Sequence, residues 1–451
     1  MSMPASRDRE IVSPAQAAAD RDAYLLQLLQ QVSRNSFASS VLPKLGETAT
    51  ALVHEQTLPS TRDEEWRFTD LSALLQTPFR ALSSQPSAVS WDDLAAVTLP
   101  ETKTSRLVFV NGVYAPELSA VSDLPDGVLV GGLVEVYADP ALQPKITPYL
   151  AQQSGSNEVF TALNTAGFQD AAVVWVKPNQ TLEHPIHILF VSVADDHPVI
   201  AQPRCLVIAE ANSGLTLVED YWGLDESDHL TNGVTEIWLE ENAQVNHSRI
   251  QRQGRAAFHI GKTAVSQARD SRYTCNAITL GAKLSRHNLD VFQSGEQTDT
   301  RLYSLSAIAH TQLADTHSVM SLTKPHGSFE QLHKCIVDDR AHTVFNGKVF
   351  VPQEAQLTHA SQLNRNLMLS GKARVDTKPQ LEIVADNVKC AHGATVSQLE
   401  ADEVFYLQSR GISQTQAQRL LIYGFAMEII EKIPISSLQE TLTEKITEWT
   451  N

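Results

Sequence analysis

Between Arg204 and Lys324 the chain runs for 121 residues without a proline, although the whole sequence carries 20 in 451. A stretch that excludes proline keeps its backbone donors for helix or sheet. No long amphipathic helical period runs through it. The segment instead breaks into short alternating or wholly apolar runs: CLVIAEA, LTLVEDYW, VTEIWLEE, AQVNHSRI, RYTCNAITL, LSRHNLDVF and RLYSLSAIA, followed after Lys324 by HKCIVDD, KVFVPQ, QLTHASQL and LEIVADNV. Polar or glycine-bearing corners separate them, among them NSG, TNG, RQG, LGAK, QSGEQ, NGK and LSGK. Strands of about 5 to 9 residues whose polar side chains face inward as often as outward suit stacked coils better than a sandwich. We therefore expect a mainly β chain with a parallel β-helix over residues 196–395.

Helices are expected on either side. SPAQAAADRDAYLLQLLQQVSRN has apolar residues at helical spacing, with Ser13 and Pro14 as cap and first-turn proline, inside a mainly helical region over residues 1–100. Residues 83–90 form a Ser, Pro and Gln-rich loop. Residues 101–195 form an α/β lead-in, in which LVFVNGVY predicts a strand entering an Asn-Gly turn, NEVFTALNTAGF a short helix and AAVVWV a buried strand. After Val396 the pattern returns to helix over residues 396–451, with Ser397/Glu400, Ser413/Gln416 and Ser437/Glu440 at capping-box spacing, Gly411 as a stop and Pro434 as a break. We expect these helices to form a C-terminal cap. The middle one, QAQRLLIYGFAMEIIEKI, is apolar on more than one face, which points to a second contact.

Charge and cysteines narrow the function. With 52 acidic and 35 basic residues the net charge is -17, which disfavours nucleic acid and anionic membrane surfaces as partners. No apolar stretch approaches the roughly 20 residues of a spanning helix, and the N-terminus resembles no export signal. Cys205, Cys275, Cys335 and Cys390 contain no CxxC pair, so reduced thiols in a cytoplasmic setting are expected. Gly261-Lys262-Thr263 is no phosphate loop, because the required upstream glycine is Ala256. Adjacent acids such as Glu219-Asp220 point to opposite faces of a strand and cannot share a polysaccharide-cleaving groove. We expect no enzyme and no bound nucleotide.

Of 15 histidines, 11 lie with all four cysteines between residues 205 and 392. His333/Cys335 and Cys390/His392 each place a thiol and an imidazole at i and i+2, on one face of a strand. These are donors that zinc and iron-sulfur iron accept, yet two donors cannot close a tetrahedral site. Such a half site suits a metal or cluster shared with a second chain. For His333 and Cys335 the plain reading, a packed thiol and a hydrogen-bonded imidazole, is preferred. His310, His317, His326, His342 and His359 occur singly and are expected at corners or on the surface.

DTKPQLEIVADNVKCAHGATVSQLEADEVFYLQSRGI, over residues 376–412, closely resembles the signature stretch of the SufB/SufD family, scaffold subunits of the SUF iron-sulfur cluster assembly system. QAQRLLIYGFAMEIIEKIP, EEWRFTDL and FTALNTAGF resemble further motifs of that family, and HGATV is similar to the SufD branch rather than SufB. The resemblance implies a right-handed parallel β-helix between helical ends, pairing with SufB, and binding of the ATPase SufC through the C-terminal helices. It also implies a transient iron or iron-sulfur cluster at the subunit interface, with Cys390 and His392 as this chain's donors. An edge strand further implies a homodimer of the isolated chain. Nothing functional carries over to residues 1–100.

Overall fold

The computed structural model describes residues 14–81, 89–194 and 196–449, so Ser13 and most of the 83–90 loop lie outside it. Two long sheets face each other, and from Arg204 onward consecutive strands alternate between them. One sheet takes Arg204–Ala209, His229–Leu239, Phe258–Gln267, Leu284–Gln293, Leu313–Ser321, His342–Val351 and Arg374–Ile383. We call it the first sheet. The second takes Gly214–Gly223, Gln244–Arg252, Arg272–Thr279, Asp299–Ile308, Ser328–Val337, His359–Met368 and Lys389–Ser397. Every one of these neighbours is parallel. Leu230 pairs with Phe258, Phe258 with Leu284, Leu284 with Leu313, Leu313 with His342 and His342 with Arg374, so one coil takes 26 to 32 residues. The expected β-helix is present, with about eight turns. The short corner spacing in the sequence is half of this repeat.

Corners explain why the sequence switches so sharply. Asn179, Asn212, Asn242 and Asp270 all sit in the left-handed region, with φ between 56° and 62°, where a short polar side chain is tolerated. Successive asparagines also stack: the Asn242 amide donates to Asn212 Oδ1 at 2.9 Å, and the Asn212 amide to Asn179 Oδ1 at 3.0 Å. At Gly281 a Cβ would lie 2.0 Å from the Gln253 carbonyl oxygen, so that corner admits no side chain without moving the previous coil.

Both sheets begin before the proline-free stretch. Ile186–Ser192 and Ser105–Val110 extend the second sheet, and Ala172–Val176 extends the first. The NG turn closes as expected, with Asn111 and Gly112 at φ 50° and 86°. The helix Val159–Gly167 and the strand Ala172–Val176 are also where the sequence placed them. Ahead of them, Pro14–Val32 and Pro43–His54 pack with Val159–Gly167 on one flank. Gly261-Lys262-Thr263 lies inside a strand, with the Lys262 ammonium held by Glu158 at 2.8 Å and by Asp290.

The C-terminal helices Ala401–Ser409, Gln414–Ile430 and Ser436–Trp449 correct the expected cap. They do not cover the end of the coil. Ile422, Ala426, Ile429 and Ile430 instead pack along the outer face of the second sheet, on Val218, Ile250, Ile278, Leu305 and Ile336. That row of outward apolar residues needs a cover, and these helices supply it. Of the three capping boxes only Ser413/Gln416 forms. Ser397 is still part of the last strand, and Ser437 lies inside its helix, where the Glu101 carboxylate takes its hydroxyl and backbone N–H. Gly411 ends its helix at φ 87°, and Pro434 separates the last two helices.

Candidate functional site at the open end of the coil

Among the described residues Lys389–Ser397 pairs on one side only, with His359–Met368, and its other edge meets no strand. The final strand of the first sheet, Arg374–Ile383, is likewise an edge. Not one residue of either strand is fully buried. Cys390 is half-buried, packed against the core between the sheets, and His392 two residues later is on the same face and exposed. The structure therefore brings the two predicted donors together at an unpaired, solvent-facing rim. Burial raises the Cys390 thiol above its ordinary pKa, against a backbone hydrogen bond from Ala360 that lowers it. Burial thus favours the neutral thiol over the thiolate unless a cation or metal draws off its proton. Among the described residues no three His, Cys, Asp or Glu side chains converge as a metal site. The donor set fits the borrowed, incomplete kind: one soft sulfur and one borderline nitrogen, both reachable.

His333 and Cys335 are two coils' strands further in and behave differently. Both are fully buried, Sγ lies 3.1 Å from Nε2, and Thr343 donates to the sulfur at 3.3 Å. The imidazole stacks on Phe345 with centroids 4.7 Å apart. Burial takes the His333 pKa down to about 3 and pushes the Cys335 thiol up to about 12, so both are neutral at pH 7. This pair is packing inside the coil, as the plain reading has it.

The singly spaced histidines divide. His310 and His326 occupy left-handed corners and His359 is the exposed first residue of its strand, as expected. His317 and His342 do not lie free on the surface: His317 contacts Glu65 at 3.1 Å and Asp315 at 3.0 Å, and His342 contacts Asp376 at 2.7 Å. The segment carrying Glu65 and Thr69 folds over the outer face of the first sheet there, an arrangement that no local pattern announces. Glu219 and Asp220 split across the sheet, Glu219 meeting His247 at 3.1 Å inside and Asp220 meeting His187 and Arg252 outside.

A second feature lies behind the site. Lys334 and Arg365 are on the outer face of the second sheet, each between two inward-facing residues of its strand, and both reach Glu428 on the helix Gln414–Ile430, Arg365 at 3.4 Å. Phe425 lies beneath the Lys334 ammonium at 4.0 Å. On the other side of this helix Leu420 and Tyr423 are exposed, as are Phe405 and Tyr406 on the preceding helix, Phe405 by 70%. The doubly apolar helix thus buries one face in its own fold and leaves the other uncovered.

Residues 190–425 match the family model described as SUF system FeS cluster assembly, SufBD core domain, and residues 22–188 match the SufBD protein N-terminal region. The chain belongs to the SufBD family. It is 48% identical over 436 residues to an iron-sulfur cluster assembly SufBD family protein of Synechocystis, covering 94% of this chain and 95% of that one. It is 34% identical to ABCI7, chloroplastic, of Arabidopsis thaliana, covering 95% and 91%. To the iron-sulfur cluster assembly protein SufD of Escherichia coli it is 32% identical, covering 86% and 88%. This SufBD chain is accordingly a SufD-like member of the SUF iron-sulfur cluster assembly system. None of its described helices is long and apolar enough to cross a membrane. The sequence reading singled out neither Glu428 nor the inward amides Gln362, Asn364 and Asn366 on the neighbouring strand His359–Met368. The alternation of HASQLNRNL, with its amides on the inward face, was their only signal.

Proposed function

We propose that the chain is a non-catalytic scaffold subunit that pairs through its open coil end with the homologous SufB and through its C-terminal helices with the ATPase SufC. The cargo is iron or a nascent iron-sulfur cluster at the seam, with Cys390 and His392 as this chain's share of the donors. One observation carries the reading: the unpaired last strand presents a thiol and an imidazole on one face, at a rim with no cover of its own. A second chain continuing the parallel sheets would bury both edges and complete the ligand set.

The outer tie supports a route for nucleotide-driven motion. SufC bound on Phe405, Tyr406, Leu420 and Tyr423 would load a helix that Glu428 fastens to Lys334 and Arg365. Arg365 is paired in register with Thr395 of the last strand, so displacement of the helix is passed to the strand bearing Cys390 and His392. With no partner, two copies would meet through the same edges as a homodimer. The four unpaired cysteines support a reducing, cytoplasm-like compartment.

The test is His392→Ala co-expressed with both partners, read by iron and sulfide analysis of the purified complex. Metal content is expected to fall on the order of tenfold while the complex still assembles. Full cluster content in that variant would remove His392 from the role.

A further inference from the structure

The last strand is paired in register with His359–Met368, which places Gln362 directly beside His392 and Gln331 beside Gln362 on the inward face. Gln362 is 2% exposed. Its amide nitrogen is committed, donating to Gln331 Oε1 at 2.8 Å, and Gln331 in turn donates to the Ser318 hydroxyl at 2.9 Å. The direction of this chain leaves one end open. Gln362 Oε1 is buried and has no hydrogen-bond partner. A buried amide oxygen left unpaired costs roughly 1 to 3 kcal/mol, so it favours any donor brought within reach.

The group on the open side is the imidazole of His392, one strand away on the same face, about 4.8 Å at the backbone. An imidazole that is to give one nitrogen to a metal carries its proton on the other, and an acceptor fixed behind it selects that tautomer and holds the ring. We propose that Gln362 is the positioning residue for His392: its carboxamide oxygen takes the N–H of one ring nitrogen and so aims the other, unprotonated, at the seam. Gln331 and Ser318 hold the amide against flipping, because reversing it would set its oxygen against Gln331 Oε1, two acceptors face to face. A Cβ at Gly347 on the opposite sheet would lie 2.3 Å from the Gln362 amide nitrogen and 2.6 Å from the Phe345 ring, so glycine there leaves room for both side chains.

The inference rests on the scaffold reading for the use of His392, but not for its geometry. The full chain, labelled with 15N in its histidine rings, is compared with Gln362→Met, which keeps the volume and removes the acceptor, and with Gln362→Glu, which keeps an acceptor oxygen. His392→Ala assigns the signal. The 15N shifts of the assigned ring are read in base, where a neutral imidazole shows its tautomer directly. The wild type and Gln362→Glu are expected to hold one tautomer, and Gln362→Met to average the two. Cluster content of the co-expressed complex is expected to drop on the order of tenfold in Gln362→Met and to recover in Gln362→Glu. An unchanged His392 tautomer in a folded Gln362→Met chain overturns the proposal. If that chain does not fold, an averaged tautomer in wild type or in Gln362→Glu overturns it equally. Normal cluster content in His392→Ala with a fixed wild-type tautomer would instead refute the scaffold role and leave the positioning intact.

Discussion

The two ends of the coil are finished in opposite ways. At the N-terminal end the second sheet stops at Ser105–Val110, flanked by the short antiparallel strands Val113–Tyr114 and Ala120–Val121, and the first sheet stops on the antiparallel Val128–Gly132. Every residue of Ser105–Val110 is buried, as is every residue of Ala172–Val176, with Leu133, Val136, Tyr137 and Ile146 packed outside the latter. At the other end two full-length parallel strands stop in the open, with Ile383 and Val396 among their exposed residues. Short antiparallel strands and covering helices are how a sheet edge is made inert, and a long bare edge is a template for another chain. One end is covered by its own chain, and the other keeps the bare edges on which the proposed pairing rests.

The strongest way to break this contrast is to place charge on both open edges. Ile383→Lys with Val396→Lys would bury unpaired ammonium groups in any continued sheet, a cost of several kcal/mol. Self-association of the isolated chain and its capture of SufB are expected to weaken on the order of a hundredfold, measured by sedimentation and by pull-down. Glu117→Lys, exposed beside the closed end, serves as the control and should change neither. Equal loss from both variants would mean that the open end is not the pairing surface.

Cysteine chemistry sharpens the same contrast. On the proposed donor role of the half-buried rim thiol, Cys390→Ser is expected to cut cluster content of the co-expressed complex on the order of tenfold, with the unfolding midpoint moved less than by any interior cysteine. Cys335→Ser should do the reverse, lowering stability by about 1 kcal/mol through a misplaced hydroxyl in the interior while cluster content holds. Loss of cluster in Cys335→Ser at normal stability would bring the interior pair back into the site.

Glu428→Gln addresses how the open end is driven. The Lys334 ammonium is almost wholly covered, and leaving it without its carboxylate is expected to lower chain stability by roughly 1 to 3 kcal/mol. ATP hydrolysis by the assembled complex should continue while cluster formation per ATP falls a few-fold. An unchanged yield per ATP would show that motion reaches the last strand by another route.

Much of this arrangement is visible in the sequence. The absence of proline, the strand-length runs and the polar corners mark the coil, because a stacked β fold imposes all three locally. Cys390 and His392 are legible for the same reason: i and i+2 on a strand is a statement about geometry. The hidden parts depend on registers between distant coils. Nothing near Gln362 says that Gln331 and His392 will flank it, and nothing near Ser437 says that Glu101 will supply its cap. The position of the C-terminal helices is hidden too, since an apolar helix reads the same whether it covers the end of a coil or its side. The row Ile250, Ile278 and Leu305 decides between them, and it is assembled only when three coils stack.

The most local expected effect separates the deep coils from the open end by pH. His247 is fully buried; burial opposes its charge, yet Cys275 and Glu219 beside it outweigh burial and raise its pKa to about 9, with the Tyr273 hydroxyl 3.0 Å from its other nitrogen. A group whose pKa is higher folded than unfolded adds stability that is complete below the unfolded value near 6.5 and is lost as pH climbs through about 9. His333, near the open end, is lowered to about 3 and stays neutral across that window, so it contributes no slope there. Between pH 6.5 and 9 the chain is expected to lose on the order of 1 kcal/mol per unit, confined to the coils around Val245–Ile250. Hydrogen exchange at matched chemical rates reads this out by segment: protection around His247 should fall with pH while that of Ser328–Val337 holds. A uniform loss along the coil would mean that the two ends are coupled more tightly than their separate finishing implies.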